Sequence, residues 1–159
     1  MNAPLPQESV WDYPRPPRVE PVPYRIEIYT QGICLAATDR AYRVLETSHP
    51  PVYYLPPDDI QMQYLRPNRR RTFCEWKGWA HYYDLHLEEQ LVPDVAWTYP
   101  EPTPGYRVIR NYLAFYAQKL DRCVVNGEVV QPQPGGFYGG WITSNLVGPF
   151  KGEPGTENW

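Results

Sequence analysis

The chain has 159 residues, a formal net charge of −3 and 42% hydrophobic residues. That length is enough for one domain with its own core, without disulfides or a structural metal. Fifteen basic against 18 acidic side chains exclude the basic face that a protein held by phosphate neutralisation carries, so no nucleic-acid partner is expected. The 20 prolines exclude long helices from most of the chain.

Aromatic content sets the character of the interior. Fourteen tyrosines and six tryptophans carry large apolar areas with polar tips that need hydrogen-bond partners. Three cysteines, Cys34, Cys74 and Cys123, are widely spaced and form no Cys-x-x-Cys pair, which argues against a zinc ribbon or a dithiol redox site. The first residues lack the charged start and apolar run of a secretory leader, and no stretch is long enough to span a membrane. The expected setting is the cytoplasm, with no membrane partner. The oligomeric state is unknown from sequence.

In chain order, residues 1–23 hold seven prolines and read as an extended arm, with Trp11 and Tyr13 placed to pin it to the body. Ile26 and Ile28 alternate with charged residues over Arg25–Thr30, as a half-buried strand requires. Gln31-Gly32 then turns the chain into Ile33–Ala37. Ala41–Leu45 and Val52–Leu55 are two further strands, and Pro56-Pro57-Asp58-Asp59 opens one turn of helix.

Met62–Leu65 is expected as a strand, followed by a turn at Arg66, Arg69, Arg70 and Arg71 that reads as a solvated loop or, less simply, as an anion or RNA contact. Thr72–Trp76 and Trp79–Leu87 come next, bent at Lys77-Gly78. In the second, Trp79, His81, Tyr83, Leu85 and Leu87 share one face, and Ala80, Tyr82, Asp84 and His86 the other. Val95, Trp97 and Tyr99 form another same-face set. Tyr112–Ala117 has strand composition, and Tyr106–Tyr112 before it can make a short helix. Asn126-Gly127 between Cys123–Val125 and Glu128–Val130 is a hairpin turn with positive φ at both central positions. Residues 132–159 read as a Gly/Pro-rich tail packed on the domain. About nine short strands between Pro/Gly breaks make an all-β domain over 24–131.

The runs LETSHPPVYYLPPDDI, TFCEWKGWAHYY, AWTYPEP, AFY and PQPGGFYGGWIT resemble the domain-of-unknown-function family 427 (DUF427), from about Trp11 to Trp159. The resemblance implies a β-tent type fold: packed antiparallel sheets meeting at an angle over a concave space, with short helical turns and extended Pro/Gly-rich termini. It supplies no catalytic residue. The family's occasional label as a nucleotidyltransferase has little counterpart here, because there is no phosphate loop and no paired-aspartate strand motif. The four-cysteine zinc site of many β-tent proteins has no counterpart either, so no metal and no cofactor are expected.

Candidate chemistry concentrates in one stretch. Cys74 shares a strand face with Thr72 and Trp76, and the break at Lys77-Gly78 can swing an ammonium toward the sulfur, which is how reactive thiols are made. The plainer reading is a buried thiol and a surface lysine. His81, seven residues on, is the candidate partner for Cys74, or a hydrogen-bonded core histidine. His49, beside Pro50-Pro51 with Glu46 upstream, reads the same two ways, and His86 belongs to the surface. Tyr54, Trp76, Trp97 and Tyr99 are the candidate lining of a pocket for a planar or cationic small molecule. Trp79 and Trp141 belong to the same set of large rings, which otherwise fill the core. The Gly-rich run Gln133–Gly140 lacks the Lys-Ser/Thr ending of a phosphate loop and reads as a turn or as backbone pressed on an aromatic. Three functions stay open: a small-molecule-binding protein, an enzyme using Cys74 in nucleophilic or redox chemistry, and an interaction module using the Pro-rich arm.

Overall fold

The computed structural model describes residues 3–159, so the first two residues of the expected 1–23 arm lie outside the described residues. Alternating apolar positions and tight turns produce strands almost throughout. The arm contributes β1 (Glu8–Ser9) and β2 (Arg18–Pro21). β3 (Ile26–Thr30) and β4 (Ile33–Thr38) form a hairpin about Gln31 and Gly32, both at positive φ. β5 (Tyr42–Leu45) and β6 (Val52–Tyr54) follow, and Pro57–Asp59 makes the expected helical turn with proline in its first position. β7 (Leu65–Cys74), β8 (Gly78–Leu87) and β9 (Gln90–Thr98) are the long strands. Pro104–Ile109 is a short 3₁₀ segment before β10 (Leu113–Phe115).

β11 (Arg122–Val125) and β12 (Glu128–Val129) close on Asn126-Gly127, with φ of 50° and 82°. The tail adds β13 (Gln131–Pro132), β14 (Trp141–Ile142) and β15 (Leu146–Val147). More strands occur than the nine expected, because arm and tail form two-residue pairings that no periodicity reveals. The domain is all-β, with several antiparallel sheets and helical structure confined to short turns.

Three sheets carry the molecule, in the orders β10-β9-β8-β7, β12-β11-β3-β4 and β2-β5-β6. The first and third meet where Leu55 and Leu113 exchange backbone hydrogen bonds at 2.8 and 2.9 Å. One core lies between the first and second sheets and includes Ile26, Ile28, Leu85, Val95, Phe115 and Trp141. A second, more aromatic cluster lies where the first and third sheets meet and includes Tyr54, Tyr82, Trp97, Tyr99 and Tyr116.

β8 serves both clusters. Ala80 and Tyr82 bury into the aromatic cluster, and past the irregularity at Tyr83–Leu85 the opposite face takes over, with Leu85 and Leu87 in the main core. Trp79 and His81 continue that second face beyond the edge of the core. Trp79 is therefore 57% exposed and packs edge-on against Phe73.

The arginine segment corrects a sequence expectation. Arg66, Arg69, Arg70 and Arg71 do not make a turn; they lie in β7, the outer strand of its sheet, which bulges between Pro67 and Arg71. Local composition resembles a turn, but pairing with β8 on either side of the bulge decides the conformation. Arg70 pairs with Asp94 at 3.1 Å and lies 4.6 Å from the centre of the Tyr82 ring. Met62–Tyr64, expected as strand, is a 3₁₀ turn leading into β7.

Candidate functional site

A cleft of about 580 Å³ opens over the aromatic cluster. Its floor comes from strands whose inward residues are rings. Tyr82 on β8 faces Trp97 on β9 in register, with Tyr116 4.7 Å from Trp97 between ring centres. Tyr54 on β6 meets Trp97 edge-on and lies 6.3 Å from Tyr99. Burial drives the Tyr54 and Tyr99 phenols well above their ordinary range, so both are neutral hydroxyls at any physiological pH.

One wall is the tight turn between β7 and β8. Thr103 secures that turn, its hydroxyl donating to Trp76 O at 2.6 Å and its amide to Lys77 O at 3.1 Å. Gly78 follows at φ 103°, a conformation that favours glycine. The turn folds Lys77 back, so that Nζ donates to Cys74 Sγ at 3.2 Å and stands 5.7 Å from the centre of the Tyr99 ring. Lys77 is buried, whereas Cys74 is half-buried and reaches the cleft.

The opposite wall is built around Gln133. Its carboxamide is buried with three partners: Nε2 donates to His49 Nδ1 and to Lys151 O, each at 3.0 Å, and Oε1 accepts from Gly140 N at 3.0 Å. A backbone N–H can only donate, so the Gly140 contact fixes which end of the amide faces His49. His49 Nδ1 is then the acceptor and Nε2 carries the proton. Burial, with the Arg15, Lys151 and Lys77 charges, lowers the His49 pKa to about 4, leaving the ring neutral. The loop beyond Gln133 lies on the floor: a side chain at Gly139 would meet the Trp97 ring at 2.1 Å. That glycine-rich run is backbone pressed on an aromatic, as one of its sequence readings has it. Phe137 and Tyr138 form the exposed lip.

Of the seven residues that the sequence singles out, Tyr54, Cys74, Trp76, Lys77, Trp97 and Tyr99 come together on this cleft. His81 does not. It is half-buried on the other face of the sheet, opposite Arg71 and Thr98 in register, in a shallow depression with Trp79 and Glu101. The turn at Lys77-Gly78 puts Cys74 on β7 and His81 on β8 with opposite facing, which excludes the candidate Cys–His pair. Trp141 is a core residue, its Nε1 donating to Phe115 O at 3.0 Å.

His49 was legible as a candidate beside Glu46, but its link to Gln133 and Lys151 was not, since these partners lie 84 and more residues away. Among the described residues no three His, Cys, Asp or Glu side chains gather as a metal site requires. No helix among them is long and apolar enough to cross a membrane.

A family model described as domain of unknown function (DUF427) matches residues 18–126, more than half of the chain. The chain belongs to this family. No curated protein matches it. In this DUF427 protein the matched segment supplies the aromatic floor and the Cys74–Lys77 wall, while Gln133, Tyr138 and Lys151 come from residues that follow it.

Proposed function

We propose that this DUF427 protein binds a small planar molecule in the cleft, stacked on Trp97 and Tyr99. The observation that carries the reading is the convergence of Tyr54, Trp76, Trp97 and Tyr99 on one open volume of about 580 Å³, the size range of ligand pockets. The three free thiols accord with a reducing, cytoplasmic setting. The test is a metabolite-library screen by native mass spectrometry on the full chain and on Trp97→Ala. A retained ligand is expected to weaken by about tenfold or more in the variant, the scale of one lost ring contact. Retention unchanged in the variant would move the site elsewhere.

A second reading, an enzyme with a nucleophilic or redox Cys74, is favoured by one observation, the 3.2 Å contact from Lys77 to Cys74 on the cleft wall. Cys123 is an internal control: it is buried, and burial pushes its thiol up to about 12. Iodoacetamide at pH 7 should alkylate Cys74 and spare Cys123 in the folded protein. Lys77→Met should slow the Cys74 reaction. A Cys74 no faster than a free peptide thiol, or indifferent to Lys77, removes the enzymatic reading.

A further inference from the structure

Three cations face the cleft, and two of them are already engaged. Arg15 reaches Glu46 Oε2 at 3.1 Å and Thr47 O at 2.9 Å. Lys151 gives its ammonium to Thr156 O at 2.7 Å and Glu157 O at 2.9 Å, binding the last turn of the tail to itself. Lys77 differs. It is 8% exposed, and among the described residues no carboxylate pairs with it and Cys74 Sγ is its one hydrogen-bond acceptor.

An ammonium has three N–H donors. The sulfur takes one and the Tyr99 face offers a weaker electrostatic contact, so donor capacity remains on the cleft side. Burying a cation costs several kcal/mol unless an anion offsets it. The space into which this donor opens is the one floored by rings. The phenols of Tyr54 and Tyr99 add neutral hydroxyls there; of the three acids that line the cleft, Glu46, Glu75 and Glu157, Glu46 is paired with Arg15, and none of the three forms an ion pair with Lys77.

We propose that the cleft selects a planar aromatic carboxylate, the carboxylate accepting from Lys77 Nζ while the ring lies against Trp97 and Tyr99. This rests on the small-molecule reading above and narrows it. A cationic ligand seated in the same way would bring its charge against Lys77 as a like charge. Seating the carboxylate beside Lys77 also covers Cys74 Sγ, because both atoms line the same wall.

Three probes with one ring system separate the two ideas: 2-naphthoate, 2-naphthamide and 2-naphthylmethylammonium, titrated calorimetrically into the full chain at low ionic strength. The carboxylate should bind about tenfold or more tighter than the amide, the range of a hydrogen bond to a charged group, and the ammonium weakest. In Lys77→Met the carboxylate should fall to the level of the amide while amide affinity holds, with the melting curve confirming the fold. Bound 2-naphthoate should also slow alkylation of Cys74 by iodoacetamide. An amide that binds as well as the carboxylate in the native protein overturns the proposal without recourse to any variant. So does a carboxylate preference that survives in folded Lys77→Met, or binding that leaves Cys74 unprotected. If all three probes bind alike and Trp97→Ala weakens them all, the anion proposal fails and the small-molecule reading stands. If none binds, the anion proposal fails, and the small-molecule reading is decided by the library screen.

Discussion

His49 enters the cleft as a neutral ring, and the carboxamide of Gln133 decides which of its nitrogens holds the proton. Its pKa of about 4 in the folded protein lies below the ordinary 6.5. Above pH 6.5 the ring is neutral in both folded and unfolded chains and contributes nothing to pH dependence. Between 6.5 and 4 the unfolded chain takes up a proton that the folded one refuses, so stability falls as pH drops through that window, by at most about 3 kcal/mol. Urea unfolding at pH 7 and pH 4.5 should show this loss in the native protein and a smaller one in His49→Gln. Equal losses in the two would assign the acid sensitivity to carboxylates instead. The same scale shows what was legible in the sequence. Cys74 and Lys77 are three residues apart in one tight turn, so their contact follows from local geometry. His49 and Gln133 meet only because two distant loops close over Trp97, and nothing in either neighbourhood announces the other.

Among the elements, the hairpins at Gln31-Gly32 and Asn126-Gly127 were readable because positive φ at two successive positions is a local demand with few residues able to meet it. β7 was not, since its arginines and proline look like a turn until β8 is laid beside them. The arm is the other case in which pairing outweighs composition. β2 pairs with β5 along its length, and Arg43 of β5 reaches across to Glu20 at 2.6 Å and to Glu8 at 2.9 Å. Arg43 is 11% exposed in its side chain, and its removal leaves two partly covered carboxylates without their cation. Arg43→Met should therefore cost about 1–3 kcal/mol, below the figure for a fully buried pair because both glutamates remain partly hydrated. Thermal unfolding measures the loss, and limited proteolysis should show earlier cleavage within the arm. An unaltered cleavage pattern would mean that the strand pairing alone holds it.

At the scale of the molecule, the family match ends at residue 126 but the core does not. Trp141 is 1% exposed in the main core, stacks within 5.4 Å of Tyr53, and ties to Phe115 O and Pro51 O by its two N–H groups. Losing a buried tryptophan alone costs about 3–5 kcal/mol, a large share of the stability of a domain this size. A chain ended after Val130 is accordingly expected to lose its cooperative thermal transition and to bind a hydrophobic dye. A sharp transition in that truncated chain would show the tail to be dispensable.

The bulged edge at β7 has a consequence for how copies of this protein meet one another. An all-β molecule with exposed rings at Phe73, Trp79 and Phe137 would invite strand-to-strand association if a long, flat edge were on offer. Here the outermost strand of the largest sheet interrupts its own ladder with a proline and a bulge and carries four guanidinium groups. A second copy brought edge to edge would face a broken hydrogen-bond register and its own positive charges. The segment that mimics a turn in the sequence thus makes this edge a poor template for the addition of another strand.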